Sequence, residues 1–139
     1  MSILEVSARL KVRPGQLEGF KQQAAEIVRL AKERDTNTLR YDWFLSSDGT
    51  HCEVREAYVN SDALIEHRMH IGEALDKLFA EFAEDHTVFV FGEVSPKLLE
   101  IVNVRMAGKV KANFYSFLGG FEPEMTLAPE APARVEAPA

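Results

Sequence analysis

The 139-residue chain has a single cysteine, Cys52, so no intrachain disulfide can form and the fold must rest on its own core. No apolar run approaches the roughly 18 residues of a membrane span, which argues against a membrane partner. The N-terminus also lacks a basic stretch followed by an apolar one, so no secretory leader is expected and the protein reads as cytoplasmic. Basic residues are in the minority, 16 Lys+Arg against 22 Asp+Glu, for a net charge of -6. Nucleic-acid binding needs concentrated Lys and Arg, and here they are scattered, so that partner class is not expected.

What is present is periodic. Residues 3–12 alternate, with Leu4, Val6, Ala8, Leu10 and Val12 on one side and Glu5, Ser7, Arg9 and Lys11 on the other, which predicts a strand with unlike faces. Pro14 and Gly15 stop it, and Pro14 suits the first turn of a following helix whose apolar stripe is Leu17, Phe20, Ala24, Ile27, Val28 and Ala31. Strands are expected at about 38–47 and 51–59, joined at Asp48-Gly49. Asn60, Ser61 and Asp62 offer caps for a second helix running to Phe82, with a break or kink at Gly72. His86 to Val94 reads as a fourth strand. Ser95-Pro96 opens a short helix over 96–103, and an aromatic segment near 110–118 forms an extra strand that covers a sheet edge or docks on a second subunit. Residues 122–139 hold four of the six prolines with almost nothing to bury, so a domain over 1–121, with 95–121 as its C-terminal extension, is followed by a disordered tail.

The order βαββαβ predicts an α+β, ferredoxin-like fold with both helices on one face of an antiparallel sheet. The other face is bare. It combines Glu5, Ser7, Arg9 and Lys11 with Phe89, Phe91 and one of Trp43 and Phe44, so it should be a cavity or an interface. Two such sheets closing face to face would form a homodimer and enclose a pocket. An RNA-recognition module would need an aromatic signature on its third strand, and HCEVREAYV has none. A regulatory domain would accompany a catalytic one, for which there is no room. A dimeric α+β barrel is left.

The residues then carry a likeness. LRYDWFLSSDGTHCEVREAY, through Leu39, Arg40, Tyr41, Asp42, Phe44, Glu56 and Tyr58, followed by SDALIEH with His67, resembles strands two and three and the next helix of the antibiotic biosynthesis monooxygenase superfamily, in its quinol monooxygenase-like branch. FGEVSPKLLE and YSFLGGF are similar to a C-terminal extension in one branch, so the likeness spans residues 3–121. It implies a dimeric barrel and, in the active members, oxygenation of quinols or phenols by O2 without metal or flavin. Other relatives degrade haem, isomerise lactones or lack known activity. The Asn and Trp pair of the polyketide-oxidising members is matched only loosely by Asn37 and Trp43.

Oxygenation without a cofactor needs a base for the phenolic proton, a cation or donor for the anion and nascent superoxide, and dry aromatic walls. His67 is the candidate base, Glu56 the alternative base or the carboxylate that orients His67, and Arg9 the cation, ahead of Arg40 and Arg55. Tyr41, Trp43, Phe44, Phe89 and Phe91 are the candidate walls around a small aromatic substrate, although alternation lets only one of Trp43 and Phe44 face the cavity. Each has a plainer reading: a hydrogen-bonded helix histidine, a cross-strand ion pair for Arg9 with Glu5 or Glu56, core aromatics. His67 and His70 could in principle bind a metal or haem, but no third ligand is spaced to complete a metal site, so no cofactor is expected. Against the enzyme stands a dimeric binding or sensing protein of the same fold without turnover.

Overall fold

The computed structural model describes residues 3–121, and the Pro/Ala/Glu-rich tail expected to be disordered lies outside them. The chain runs β1 (Leu4–Val12), α1 (Leu17–Arg34), β2 (Thr38–Leu45), β3 (His51–Tyr58), α2 (Ser61–Glu81), β4 (Ala83–Phe91), α3 (Pro96–Glu100), a π-helical turn (Ile101–Arg105) and β5 (Lys111–Tyr115). One sheet is formed in the order β2-β3-β1-β4-β5. Every pairing among β1 to β4 is antiparallel, and β5 adds to the edge of β4 in parallel. The fold is therefore α+β and ferredoxin-like, with the extra strand making the sheet mixed.

The alternation of β1 builds the core as expected. Leu4, Val6, Ala8, Leu10 and Val12 are all buried, while Glu5 and Arg9 are exposed. One cluster joins Ala8, Leu10, Val12 and Val54 to Phe20, Ile27 and Ala31 of α1 and to Ile71, Leu75 and Leu78 of α2. A second joins Leu4, Val6, Tyr58 and Val90 to Ala63 and Leu64 of α2 and to Leu98 of α3. Burying one such Leu or Val contributes about 1.5–3 kcal/mol, so the apolar stripes, more than helix propensity, hold the helices to the sheet. Gln23 Nε2 also donates to the Ala74 carbonyl at 2.8 Å, tying α1 to α2.

Several local details differ from the sequence reading. Pro14 precedes α1 and sits in a turn with Gly15, whose φ of 78° is a glycine conformation; the Gln16 amide donates to the Arg13 carbonyl at 3.0 Å there. α2 passes unbroken through Gly72, because the burial of Ile71 and Leu75 on either side outweighs the ~1 kcal/mol intrinsic cost of a helical glycine. β2 ends at Leu45, since Asp48 gathers Ser46 Oγ, Thr50 Oγ1 and the Thr50 amide at 2.7 to 3.1 Å into a closed loop. β4 begins at Ala83, three residues early, because Ala83 and Glu84 continue the ladder to Val12 and Lys11 across a bulge where Asp85 takes a φ of 59°. Arg13 secures this corner, donating to the Phe79 and Ala83 carbonyls at 2.8 and 2.9 Å.

Candidate functional site

Register decides which side chains share a face. Glu56 of β3 lies opposite Val6 of β1 and Tyr41 of β2, and Val54 lies opposite Ala8 and Trp43. Directly opposed residues point to the same side of a sheet, so Tyr41, Trp43 and Glu56 join Val6 and Ala8 beneath the helices. Phe44 lies opposite Glu53, Phe89 opposite Ser7 and Phe91 opposite Glu5, which puts all three aromatics on the uncovered face with Arg9.

The cavity is on the helix-covered side. It has a volume of about 660 Å³, with a floor that includes Tyr41, Trp43, Glu56, His86 and Val88, a wall from α2 with His67 and Arg68, and a rim from α3 and the π-helical turn. The bare face was expected to supply it, and that expectation is corrected. α1 and α2 pack together over one part of the sheet while α3 approaches another, so the sheet between them is left open below the helices. The candidate residues accordingly divide. His67, Glu56, Tyr41 and Trp43 meet at one cavity; Arg9, Phe44, Phe89 and Phe91 do not reach it. Arg9 pairs instead with Glu53 at 3.2 Å and lies 4.8 Å above the Phe89 ring, and Glu53 also accepts from Ser7 Oγ at 3.0 Å and pairs with Arg55. Phe91 stacks on Tyr115 with centroids 5.3 Å apart.

Inside the cavity the chemistry is that of buried acids and bases. Burial raises the Glu56 carboxyl from its ordinary value to about 7, with the hydrogen bond donated by Tyr58 Oη and the positive charge of Arg68 pulling the other way. A group at that value serves as acid or base near neutral pH. Burial, with Glu56 nearby, holds both Tyr41 and Tyr58 well above the ordinary phenol range, so both are neutral donors. His86 is pushed down to about 4 by burial and then by Arg68, and it stacks on Phe79 at 4.5 Å.

His67 is 1% exposed and is fixed by a carboxylate from the end of α1. Asp35, at the C-terminal end of α1, accepts from His67 Nδ1 at 2.6 Å, from His70 Nδ1 at 2.7 Å and from Thr38 Oγ1 at 2.7 Å. Burial would raise this carboxyl, but the bonds from His70, Thr38 and His67 hold it below its ordinary value. For His67 burial outweighs Asp35 and lowers its proton affinity, which favours the neutral ring. Asp35, not Glu56, is therefore its orienting carboxylate. The imidazole also lies edge-on to Tyr41 at 4.4 Å. Trp43 packs between Phe20 and Tyr41 at 6.1 and 6.0 Å, and its buried indole N–H is directed to the Tyr41 hydroxyl.

Arg68, one position after His67, is the cation that the sequence reading missed. It lines the cavity, and its charge is felt at Glu56, Tyr41, His67 and His86. The signal was available in the helical spacing, since Leu64, Arg68, Ile71 and Leu75 recur at three and four residues and share one face of α2. Among the described residues no group of three or more His, Cys, Asp or Glu is placed to hold a metal ion. Nor is any described helix long and apolar enough to cross a membrane. Cys52 is buried, and burial pushes its thiol up to about 11, as befits a core position and not a nucleophile.

No protein-family model and no curated protein matches the sequence. Solved structures do. MupZ from Pseudomonas fluorescens is 20% identical over 92% of this chain and 100% of its own, with a TM-score of 0.72. A "Putative antibiotic biosynthesis monooxygenase" from Nitrosomonas europaea is 20% identical over 68% of this chain and 92% of its own, at a TM-score of 0.59. Rv0793 from Mycobacterium tuberculosis is 22% identical over 68% and 97%, also at 0.59. At these identities the likeness establishes the fold: the chain has the α+β architecture of the structures so named.

Proposed function

We propose that the protein is a monooxygenase of the antibiotic biosynthesis type, oxidising a quinol or activated phenol with O2 in the cavity below α2. The observation that carries this reading is Glu56, a carboxyl with a value of about 7 facing an aromatic-walled cavity beside Arg68. Glu56 takes the phenolic proton, and the positive field of Arg68 favours the phenolate left behind. The electron-rich anion reduces O2 by one electron. Recombination of superoxide with the ring radical forms a carbon–oxygen bond, and loss of water from the peroxide leaves a quinone, so one oxygen atom enters the ring and the other departs as water. All electrons come from the substrate. Tyr41, Trp43 and the neutral His67 and His86 supply the walls, with His67 held by Asp35. The names of the structural neighbours support the class, and the cavity chemistry supports the substrate type.

The same groups also favour a second reading, because a carboxyl near 7 hydrogen-bonded to a buried tyrosine can perform acid–base conversion without oxygen. Oxygen uptake with a panel of reduced quinones and phenols separates the two. The first reading expects uptake by the wild type and a loss of at least about a hundredfold in Glu56→Gln, the usual scale of a general base. Substrate conversion without uptake would sink it in favour of acid–base chemistry, and ligand binding without conversion would favour a non-catalytic binding protein.

A homodimer belongs to this reading. Phe44, Phe91 and Tyr115 are 52%, 43% and 50% exposed on the uncovered face, and a second copy laid on that face would bury them. Sedimentation of Phe91→Glu tests it: a dimeric wild type and a monomeric variant are expected, and a monomeric wild type refutes it.

A further inference from the structure

We propose that the molecule taken by this cavity carries, besides its apolar body, one terminal oxyanion, a carboxylate or a phosphate ester, held at the cavity mouth by Lys97 and Arg105. The identity of the oxidisable ring rests on the reading above; the oxyanion does not.

Positive charge gathers at this cavity without a matching carboxylate. Outside the cavity, Arg9, Arg13, Arg29, Arg40 and Arg55 each lie within 4 Å of a carboxylate, and the described cations that do not, Arg34 with Lys11, Lys32, Lys77, Lys109 and Lys111, line no part of it. The two arginines that line the cavity, Arg68 and Arg105, form no ion pair among the described residues, and neither does Lys97. The acids available to offset them are few. Glu100 is on the rim, and Glu56 inside, with a value of about 7, carries only part of a negative charge near neutral pH. Three cations converge on one concave lining against these two carboxyls, so the cavity is positive in a chain whose net charge is -6 and favours an anion.

The backbone serves the same end. The turn that carries Arg105 is π-helical, closed by the Met106 amide on the Ile101 carbonyl at 3.2 Å, a form frequent at functional sites. Arg68 reaches the same turn, its Nη2 lying 3.6 Å from Met106 Sδ. Most of the remaining lining, Leu64, Ile101, Val102 and Val110 among it, is apolar and suits the body of an amphipathic molecule. A volume of about 660 Å³ falls within the roughly 300–1,000 Å³ common to small-molecule sites.

Trp43 is the only tryptophan and stands in the cavity wall, so its fluorescence reports occupancy directly. Decanoate, decyl phosphate and the uncharged decanamide are titrated anaerobically into the full-length protein. Both or one of the anions should bind at least about tenfold more tightly than decanamide, and added NaCl should narrow the gap. The tighter of the two identifies the head group. In the double variant Lys97→Gln, Arg105→Gln the preference should fall to within about threefold with decanamide affinity retained, which also shows the cavity intact. Equal affinity for decanamide and both anions in the wild type, or an anion preference that survives in the double variant, overturns the proposal. Oxygen uptake plays no part, so failure of the monooxygenase reading leaves this result standing.

Discussion

Replacing Glu56 by Gln should remove a pH-dependent instability from the protein. In the unfolded chain this carboxyl has its ordinary value of 4.5, and in the fold it rises to about 7. A raised carboxyl binds its proton more tightly when folded, so the stability it contributes is full below 4.5 and is lost as the pH climbs through 7. At 1.36 kcal/mol per tenfold in proton affinity, the ionised form costs the folded state about 3 kcal/mol by pH 8.5. The glutamine amide would keep an oxygen to accept the Tyr58 hydroxyl and would carry no charge at any pH. Urea denaturation of wild type and variant from pH 4 to 8.5 checks this, because every other titrating group, Asp35 and His86 included, cancels in the difference. The variant should gain about 3 kcal/mol relative to wild type across that range, roughly 10 °C in melting temperature at this chain length. Stability curves that stay parallel would mean that Glu56 titrates as an ordinary surface carboxyl, and the acid–base account of the cavity would fall with it.

Further outcomes follow from neighbouring groups. Tyr58→Phe deletes the donor that lowers Glu56, so the stability loss, which sets in at the unfolded value of 4.5, should extend to higher pH and become larger than in wild type, as a denaturation series would record. Asp35→Asn leaves two imidazoles and the Thr38 hydroxyl competing for one oxygen, and should destabilise by about 3 kcal/mol in urea, since it breaks a buried charged network. His86, lowered to about 4, should show no titration between pH 5.5 and 8 by NMR; a midpoint near 6.5 would contradict its burial against Phe79. Gly72→Ala meets nothing within 4 Å and should stabilise α2 by up to about 1 kcal/mol in thermal melts.

Much of the architecture was legible because it is written in local periodicity. The alternation of residues 3–12 and the stripe from Phe20 to Ala31 each fix a buried face without knowledge of any partner. Element ends were less legible, and Ala83 shows why. Its place in β4 comes from pairing with Val12, a contact 71 residues away in sequence, and from a bulge at a non-glycine residue in a left-handed conformation. Gly72 misled in the opposite direction, because a local cost was overruled by the packing on either side of it.

The site was only half legible, and the missing half is a matter of register. Alternation within a strand says that Trp43 and Phe44 face opposite ways, but not which one faces the helices; that depends on Trp43 meeting Val54, and Val54 meeting Ala8. The same ladder sends Phe89 to Ser7 and thus, with Arg9, to the wrong side of the sheet for chemistry at Glu56. Each of these residue types was reasonable for its role, and a shift of one residue in either pairing would have put the other set beneath α2. Asp35 was hidden for a different reason. A helix-terminal Asp before a Thr reads as a turn, and only the return of α2 past the end of α1 brings His67 and His70 onto it. The positive cavity likewise could not be read from net charge, since it arises where Arg68 of α2 shares a cavity with Lys97 and Arg105 of a segment far along the chain, with the charge of Glu56 reduced near neutral pH by the burial that this covering creates. Covering the sheet thus has an electrostatic consequence as well as an apolar one: it leaves Glu56 near neutrality and leaves three cations without ion-pair partners around it among the described residues.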